Sequence, residues 1–219
     1  MTDGAVAARG SVRIKFCGMT RAEDVRLAVE LGVDYVGLIL APRSPRRLGM
    51  AQAAELRSLV ADRSAAVLLL MDNPGEKVQR GVDAIRPDLL QFHGAEDDAF
   101  CARFGLPFLK AIAMGDGADP LVEMARFPSA FGFVLDGHGA GQAGGSGHRF
   151  DWSRLPHACD RPILLAGGLG PGNVAEAIQA VRPWGVDVSS GIETAPGRKH
   201  PEAMRRFVEA ARAASDAIG

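Results

Sequence analysis

The chain has 219 residues, 47% of them hydrophobic and 23% charged, with a formal net charge of −1. That length and apolar share suit one domain with a substantial core, since single α/β barrels commonly run to about 200–250 residues. The near-neutral balance gives no reason to expect nucleic acid or an anionic membrane as a partner, and no apolar run approaches the roughly 20 residues of a membrane span.

Met1 to Ser11 is small and polar, without an apolar signal core, and reads as a flexible N-terminal extension ahead of a single domain over 12–219. Cys17, Cys101 and Cys159 have no metal-ligand spacing and leave an odd thiol, which points to a reducing cytoplasm.

Val12 to Phe16 alternates apolar and basic residues as a short strand does. Thr20-Arg21-Ala22-Glu23 has capping-box spacing and predicts a helix start there, so Cys17 falls where a strand hands over to a helix. A helix N-terminus near such a loop can lower a thiol's pKa. Gly32 is a natural stop for this helix, and Tyr35 to Leu40 is a second strand, apolar throughout as in a sheet buried on both faces. It runs into a loop rich in proline and arginine, Ala41 to Arg47, and a second helix carries Leu56, Leu59 and Val60.

Ala65 to Met71 is the third strand, and Pro74 suits the first position of the next helix. Asp88 to Phe92 is the fourth, closing with Gln91-Phe92-His93-Gly94 and followed by a helix through Phe100 and Phe104. Pro107 to Ala113 is the fifth, and Phe131 to Leu135 the sixth, with Asp136 as its last residue. A glycine-rich loop spans Gly137 to Arg149. Ile163 to Ala166 ends in Gly167-Gly168, and after a helix through Val174, Ala177, Ile178 and Val181 comes Gly185 to Val188, which runs into Ser189-Ser190-Gly191. Met204, Phe207, Val208 and Ala211 mark the last helix.

Eight strands alternating with helices indicate either a closed (β/α)8 TIM barrel or an open doubly wound sheet, and the lack of a dinucleotide fingerprint favours the barrel. In a barrel the loops after the strands share one mouth, where Cys17, Arg46, His93, Asp136, Gly144 to Gly147, Gly167-Gly168 and Ser189-Ser190-Gly191 converge. Singly, each has a plain alternative. Cys17 can be an inert buried thiol, Asp136 a turn former, Arg46 a solvated charge, His93 a structural histidine, and the glycine run a linker.

Glycine clusters after strands six, seven and eight let backbone N–H groups approach a phosphate, so a phosphorylated small substrate is expected. Cys17 and Asp136, on strands across the mouth, suit a base and an acid for proton shuffling. For that work the thiol must be lowered or assisted, and the carboxyl raised by partial burial.

In order along the chain, Lys15-Phe16-Cys17-Gly18-Met19-Thr20, Pro42-Arg43-Ser44-Pro45-Arg46, Gln91-Phe92-His93-Gly94, Gly144 to Trp152, Ala166-Gly167-Gly168-Leu169 and Asp187 to Glu193 resemble phosphoribosylanthranilate isomerase. The resemblance runs from Val12 to about Ala211. It implies a (β/α)8 barrel that rearranges N-(5'-phosphoribosyl)anthranilate in tryptophan biosynthesis without cofactor or metal, as a monomer or homodimer. By that likeness Asp136 opens the ribose ring as acid and Cys17 removes the neighbouring carbon's proton as base. Arg46 then faces the anthranilate carboxylate, with Gln91, His93, Gly145, Ser146, Gly147, Gly167, Gly168, Asp187, Ser190 and Gly191 as further substrate-binding residues.

Three features depart from the family pattern: His148, the long Gly137 to Ala143 loop, and Leu68-Leu69-Leu70, which is expected to alter packing rather than chemistry. A histidine-pathway phosphosugar isomerase would typically carry two aspartates, which Cys17 argues against. A barrel that only binds a phosphorylated ligand would tolerate losing Cys17 or Asp136, and both are present.

Overall fold

A computed structural model of the protein describes residues 11–60, 63–114, 119–137, 152, 155 and 159–218. The proposed N-terminal extension up to residue 10, Gly145, Ser146, Gly147, His148 and nearly all of the Gly137 to Arg149 loop lie outside the described residues.

Eight parallel strands close into a barrel in chain order, which excludes the open doubly wound sheet. They are β1 (Arg13–Phe16), β2 (Tyr35–Ile39), β3 (Ala65–Leu70), β4 (Leu89–Phe92), β5 (Phe108–Ala113), β6 (Gly132–Asp136), β7 (Ile163–Leu165) and β8 (Gly185–Val188). Helices α1 (Ala22–Glu30), α2 (Met50–Ser58), α3 (Gly75–Ile85), α4 (Asp98–Ala102) and α5 (Pro120–Ala125) follow the first five strands. Helix α6 (Val174–Val181) follows β7. After β8 come a short 3-10 turn (Ser190–Ile192), a hairpin of β9 (Glu193–Ala195) and β10 (Arg198–Lys199), and the long α7 (Pro201–Ile218). Among the described residues no helix is long and apolar enough to cross a membrane.

The short apolar runs become strands because both faces are buried, and alternation sorts their side chains. Ile14, Phe16, Leu68, Leu70 and Phe92 point outward into the layer beneath the helices, where Phe16 meets Phe207 of α7 edge-on at 5.9 Å. Inside, Val67, Leu89, Leu109, Val134, Leu164 and Ala166 fill an apolar layer. Gly81 lets α3 lie close to the sheet, since a Cβ there would meet methyls of Leu40 and Leu68 at 3.2 Å. Closure is sealed by α7: Ser215 accepts from the Val12 amide at 2.8 Å, and Arg212 donates to the Val12 and Gly32 carbonyls.

Several local expectations shift. The capping box does not form, because Arg21 occupies the N-cap of α1 and the Thr20 hydroxyl donates instead to the Gly197 carbonyl of the β9–β10 turn. Glu23 pairs with Arg21 at 3.1 Å rather than reaching back to the backbone. Pro74 is the N-cap of α3 rather than its first residue. Helix α4 ends at Ala102, leaving Phe104 beyond it but buried in a cluster with Phe92 and Phe100.

Candidate active site

Parallel pairing of β1 with β8 sets Lys15 directly beside Asp187. Both point inward, and Lys15 Nζ donates to the two carboxylate oxygens at 3.0 Å each. Two residues further on, Cys17 faces the same side, as strand alternation requires. Its Sγ and Lys15 Nζ both border Gly37, where a Cβ would lie 3.0 Å from the sulfur and 3.3 Å from the nitrogen.

The thiol does not sit at a helix N-terminus, since α1 begins five residues later. It is only 5% exposed, and burial raises its pKa, with Lys15 partly opposing the rise. Lys15 responds the other way. Burial disfavours its charge, but Asp187 and Cys17 more than offset this and raise it. The Asp187 carboxyl is pushed up by burial against the pull of Lys15, with the nearby charge of Asp136 adding to the rise.

Cys17 and Asp136 line one cleft at the ends of the strands. One wall is apolar, with Ile39, Ala41, Leu69 and Met71 clustered around Cys17. Leu69 of the unusual leucine run is therefore part of the site wall, while its neighbours Leu68 and Leu70 face the helices. The opposite side is Gly167, Gly168, Leu169, Ser189 and Ser190. Gly167 and Gly168 have φ of +83° and +64°, a left-handed pair that side chains would strain. Asn173 pins this turn, accepting from the Gly170 amide at 2.8 Å and donating to the Gly168 carbonyl at 2.9 Å.

Arg46 and His93 complete the lining. Arg46 is buried, and its Nε and Nη2 donate to the two oxygens of Glu193 at 2.8 and 2.7 Å. Lys199 Nζ donates to the same carboxylate at 2.8 Å and also to the carbonyls of Cys17 and Ser189. The β9–β10 hairpin thus brings an anion and a cation onto the mouth and braces the Cys17 loop against β8. Burial would raise the Glu193 carboxyl, but its bonds to Arg46 and Lys199 outweigh that and hold it low. Burial lowers Lys199, with Glu193 opposing.

Arg43 and Arg47 are exposed, as expected of solvated charges. Gln91 lies beneath the cleft, fully buried, with its amide nitrogen 2.6 Å from His93 Nε2. Gly191 is not in the lining: a Cβ there would sit 1.9 Å from the Leu169 carbonyl oxygen, so its glycine permits two loops to meet.

Residues 14–210 match the family model described as N-(5'phosphoribosyl)anthranilate (PRA) isomerase. The chain belongs to the PRA isomerase family. A relative from Xanthomonas oryzae pv. oryzae, named N-(5'-phosphoribosyl)anthranilate isomerase, is 52% identical over 208 residues, covering 92% of this chain and 94% of that one. The crystal structure of the phosphoribosyl anthranilate isomerase from Thermus thermophilus superposes with a TM-score of 0.81 at 34% identity, covering 91% and 98% of the two chains. Another family structure, in complex with reduced 1-(o-carboxyphenylamino)-1-deoxyribulose 5-phosphate, gives 0.77 at 29% identity, covering 92% and 99%.

Against this PRA isomerase frame, sequence reasoning singled out Cys17, Arg46, His93, Asp136, Gly167, Gly168, Asp187 and Ser190, and all of them line the cleft. It gave no role to Lys15, Glu193 or Lys199. Lys15 was discoverable from its place two residues before Cys17 on the same strand face. Lys199 carries no local signal, because it reaches Cys17 across 182 positions of chain.

Proposed function

We propose that the chain isomerises N-(5'-phosphoribosyl)anthranilate to 1-(2-carboxyphenylamino)-1-deoxyribulose 5-phosphate, with Cys17 as general base and Asp136 as general acid. The observation that carries this reading is that residues from the first and sixth strands line one cleft whose two walls differ in kind. The apolar wall of Ile39, Leu69 and Met71 suits a benzene ring, and Arg46 beside it suits the ring's carboxylate. The turn at Gly167-Gly168 with Ser189 and Ser190 suits a phosphate, where backbone N–H groups and hydroxyls replace water. The compound bound in the related structure has those same two ends.

In the proposed reaction Asp136, as the acid, gives a proton to the ribose ring oxygen. The C1'–O bond breaks with its electron pair on that oxygen, and the anilino nitrogen forms an iminium with C1'. Cys17, as thiolate, takes the proton from C2', and the released pair forms the C1'–C2' double bond and neutralises the nitrogen. The enol then loses its hydroxyl proton as C1' gains one, leaving the ketone. One proton has passed from Asp136 to substrate and one from substrate to Cys17, so a single return transfer resets the site. No electrons are gained or lost, and no redox cofactor enters.

Arg46 retains donors for this role. Glu193 occupies the Nε proton and one on Nη2, leaving three of the five guanidinium N–H groups. The test is to add the purified protein to N-(5'-phosphoribosyl)anthranilate and follow loss of its fluorescence, with the product identified by mass. An unchanged mass with a new ketone supports the reading; release of free anthranilate, or no change, contradicts it.

A further inference from the structure

A buried thiol is a poor base unless something pays back the cost of its charge, and burial raises Cys17. The charged groups around it come from several elements: Lys15 on β1, Asp187 on β8, Arg46 after β2, Lys199 and Glu193 on the hairpin, and Asp136 at the end of β6. His93, after β4, lines the same cleft. Three cations are therefore near; Lys199 has its donors filled, and the donors Arg46 keeps are those the proposed function gives to the substrate. Arg46 holds Glu193 with two bonds, and Lys199 spends its three donors on Glu193 and two carbonyls.

Lys15 differs. It is fully buried, and among the described residues two of its three N–H groups bond to Asp187. Gly37 on β2 lies beside both the ammonium and the Cys17 thiol. A Cβ at Gly37 would lie 3.0 Å from Cys17 Sγ and 3.3 Å from Lys15 Nζ, so thiol and ammonium border the same small notch, which only a missing side chain leaves open.

We propose that Lys15 is a positioning residue that favours the thiolate of Cys17 against the effect of burial, with Asp187 orienting the ammonium and Gly37 leaving room beside the pair. This rests on the reading of Cys17 as the base. The fixed positive charge stabilises the thiolate before the reaction, and Lys15 itself exchanges no proton with the substrate. Lys15→Met keeps length and removes charge. Gly37→Ala keeps both charges and adds a methyl beside them, where it would meet Cys17 Cα and Sγ at 3.0 Å and Lys15 Nζ at 3.3 Å.

The test measures the rate of iodoacetamide alkylation of Cys17 against pH, resolved by peptide mass spectrometry, alongside a thermal melt. Cys101, whose pKa burial pushes up to about 12, serves as the unreactive control. Loss of an opposite charge at contact distance typically moves a pKa by about 1–3 units, so Lys15→Met should raise the alkylation midpoint by about one pH unit or more. Gly37→Ala should move it in the same direction, and it carries the test if Lys15→Met fails to fold. The acid limb of kcat against pH should shift upward equally. Folded variants that lose rate at every pH with an unmoved midpoint would overturn the proposal, because a packing defect slows turnover without changing thiol acidity. If Cys17→Ala retains turnover, the base assignment fails, while the alkylation midpoints still decide whether Lys15 and Cys17 are paired.

Discussion

Replacing Arg46 with alanine perturbs two interactions, and the structure allows them to be separated. Toward substrate, a two-pronged contact from guanidinium to an aromatic carboxylate contributes about 1.5–3 kcal/mol, so kcat/KM should fall roughly 10- to 200-fold. Toward the protein, the change removes two of the three bonds recorded to Glu193 from Arg46 and Lys199. Breaking a buried ion pair typically costs about 3–5 kcal/mol. Lys199 still neutralises the carboxylate at 2.8 Å, so we expect a smaller loss, about 1–3 kcal/mol. That corresponds to a drop in Tm of about 2–12 °C for a chain of this size. The assay is steady-state fluorescence loss on the natural substrate and on an analogue lacking the carboxylate, with a melt for each protein. Wild type should lose much of its advantage on the analogue, and Arg46→Ala should lose little more. An equal penalty on both substrates would refute the carboxylate contact and leave Arg46 as a structural partner of Glu193.

Gly191→Ala should displace the loop after β7 or β8, because the new methyl would meet a backbone oxygen at 1.9 Å that cannot rotate away; we expect a lower Tm and inhibition by inorganic phosphate weakened by roughly tenfold, and unchanged values would refute the close approach. Glu193 is held below its ordinary range, so its stabilising effect is fully present above the unfolded value of about 4.3 and lost as pH falls through the lower folded value. Glu193→Gln should therefore melt earlier than wild type at pH 7, with the gap closing below about pH 4; a constant gap would show that the carboxylate's charge is not what matters.

The barrel was legible because its evidence is periodic. Eight short apolar runs recur between helical stripes, and the buried sheet requires that pattern. Strand ends were legible to within a residue or two, which sufficed to place Cys17 and Asp136 at the mouth. Local terminus chemistry was less so. Thr20 has the spacing of a cap but spends its hydroxyl on Gly197, 177 positions away, and no reading of neighbours could reveal that contact. The same limit hid the state of the thiol: a sequence shows a cysteine before a helix, whereas its acidity depends on burial and on Lys15, Asp187 and Lys199 brought in from two ends of the chain. Arg46 was found from its stiff loop, yet the bidentate hold of Glu193 on it depends on a hairpin that folds back only after the eighth strand.

The central claim is that Cys17 and Asp136 divide the proton transfers between them. The most direct measurement is single-turnover loss of substrate fluorescence in Cys17→Ala and Asp136→Asn, with binding of a product analogue measured in parallel. Each variant should lose 10²-fold or more in rate while still binding the analogue, as removal of a general acid or base usually produces. Near-normal turnover in either variant would contradict the account and remove that residue from the mechanism.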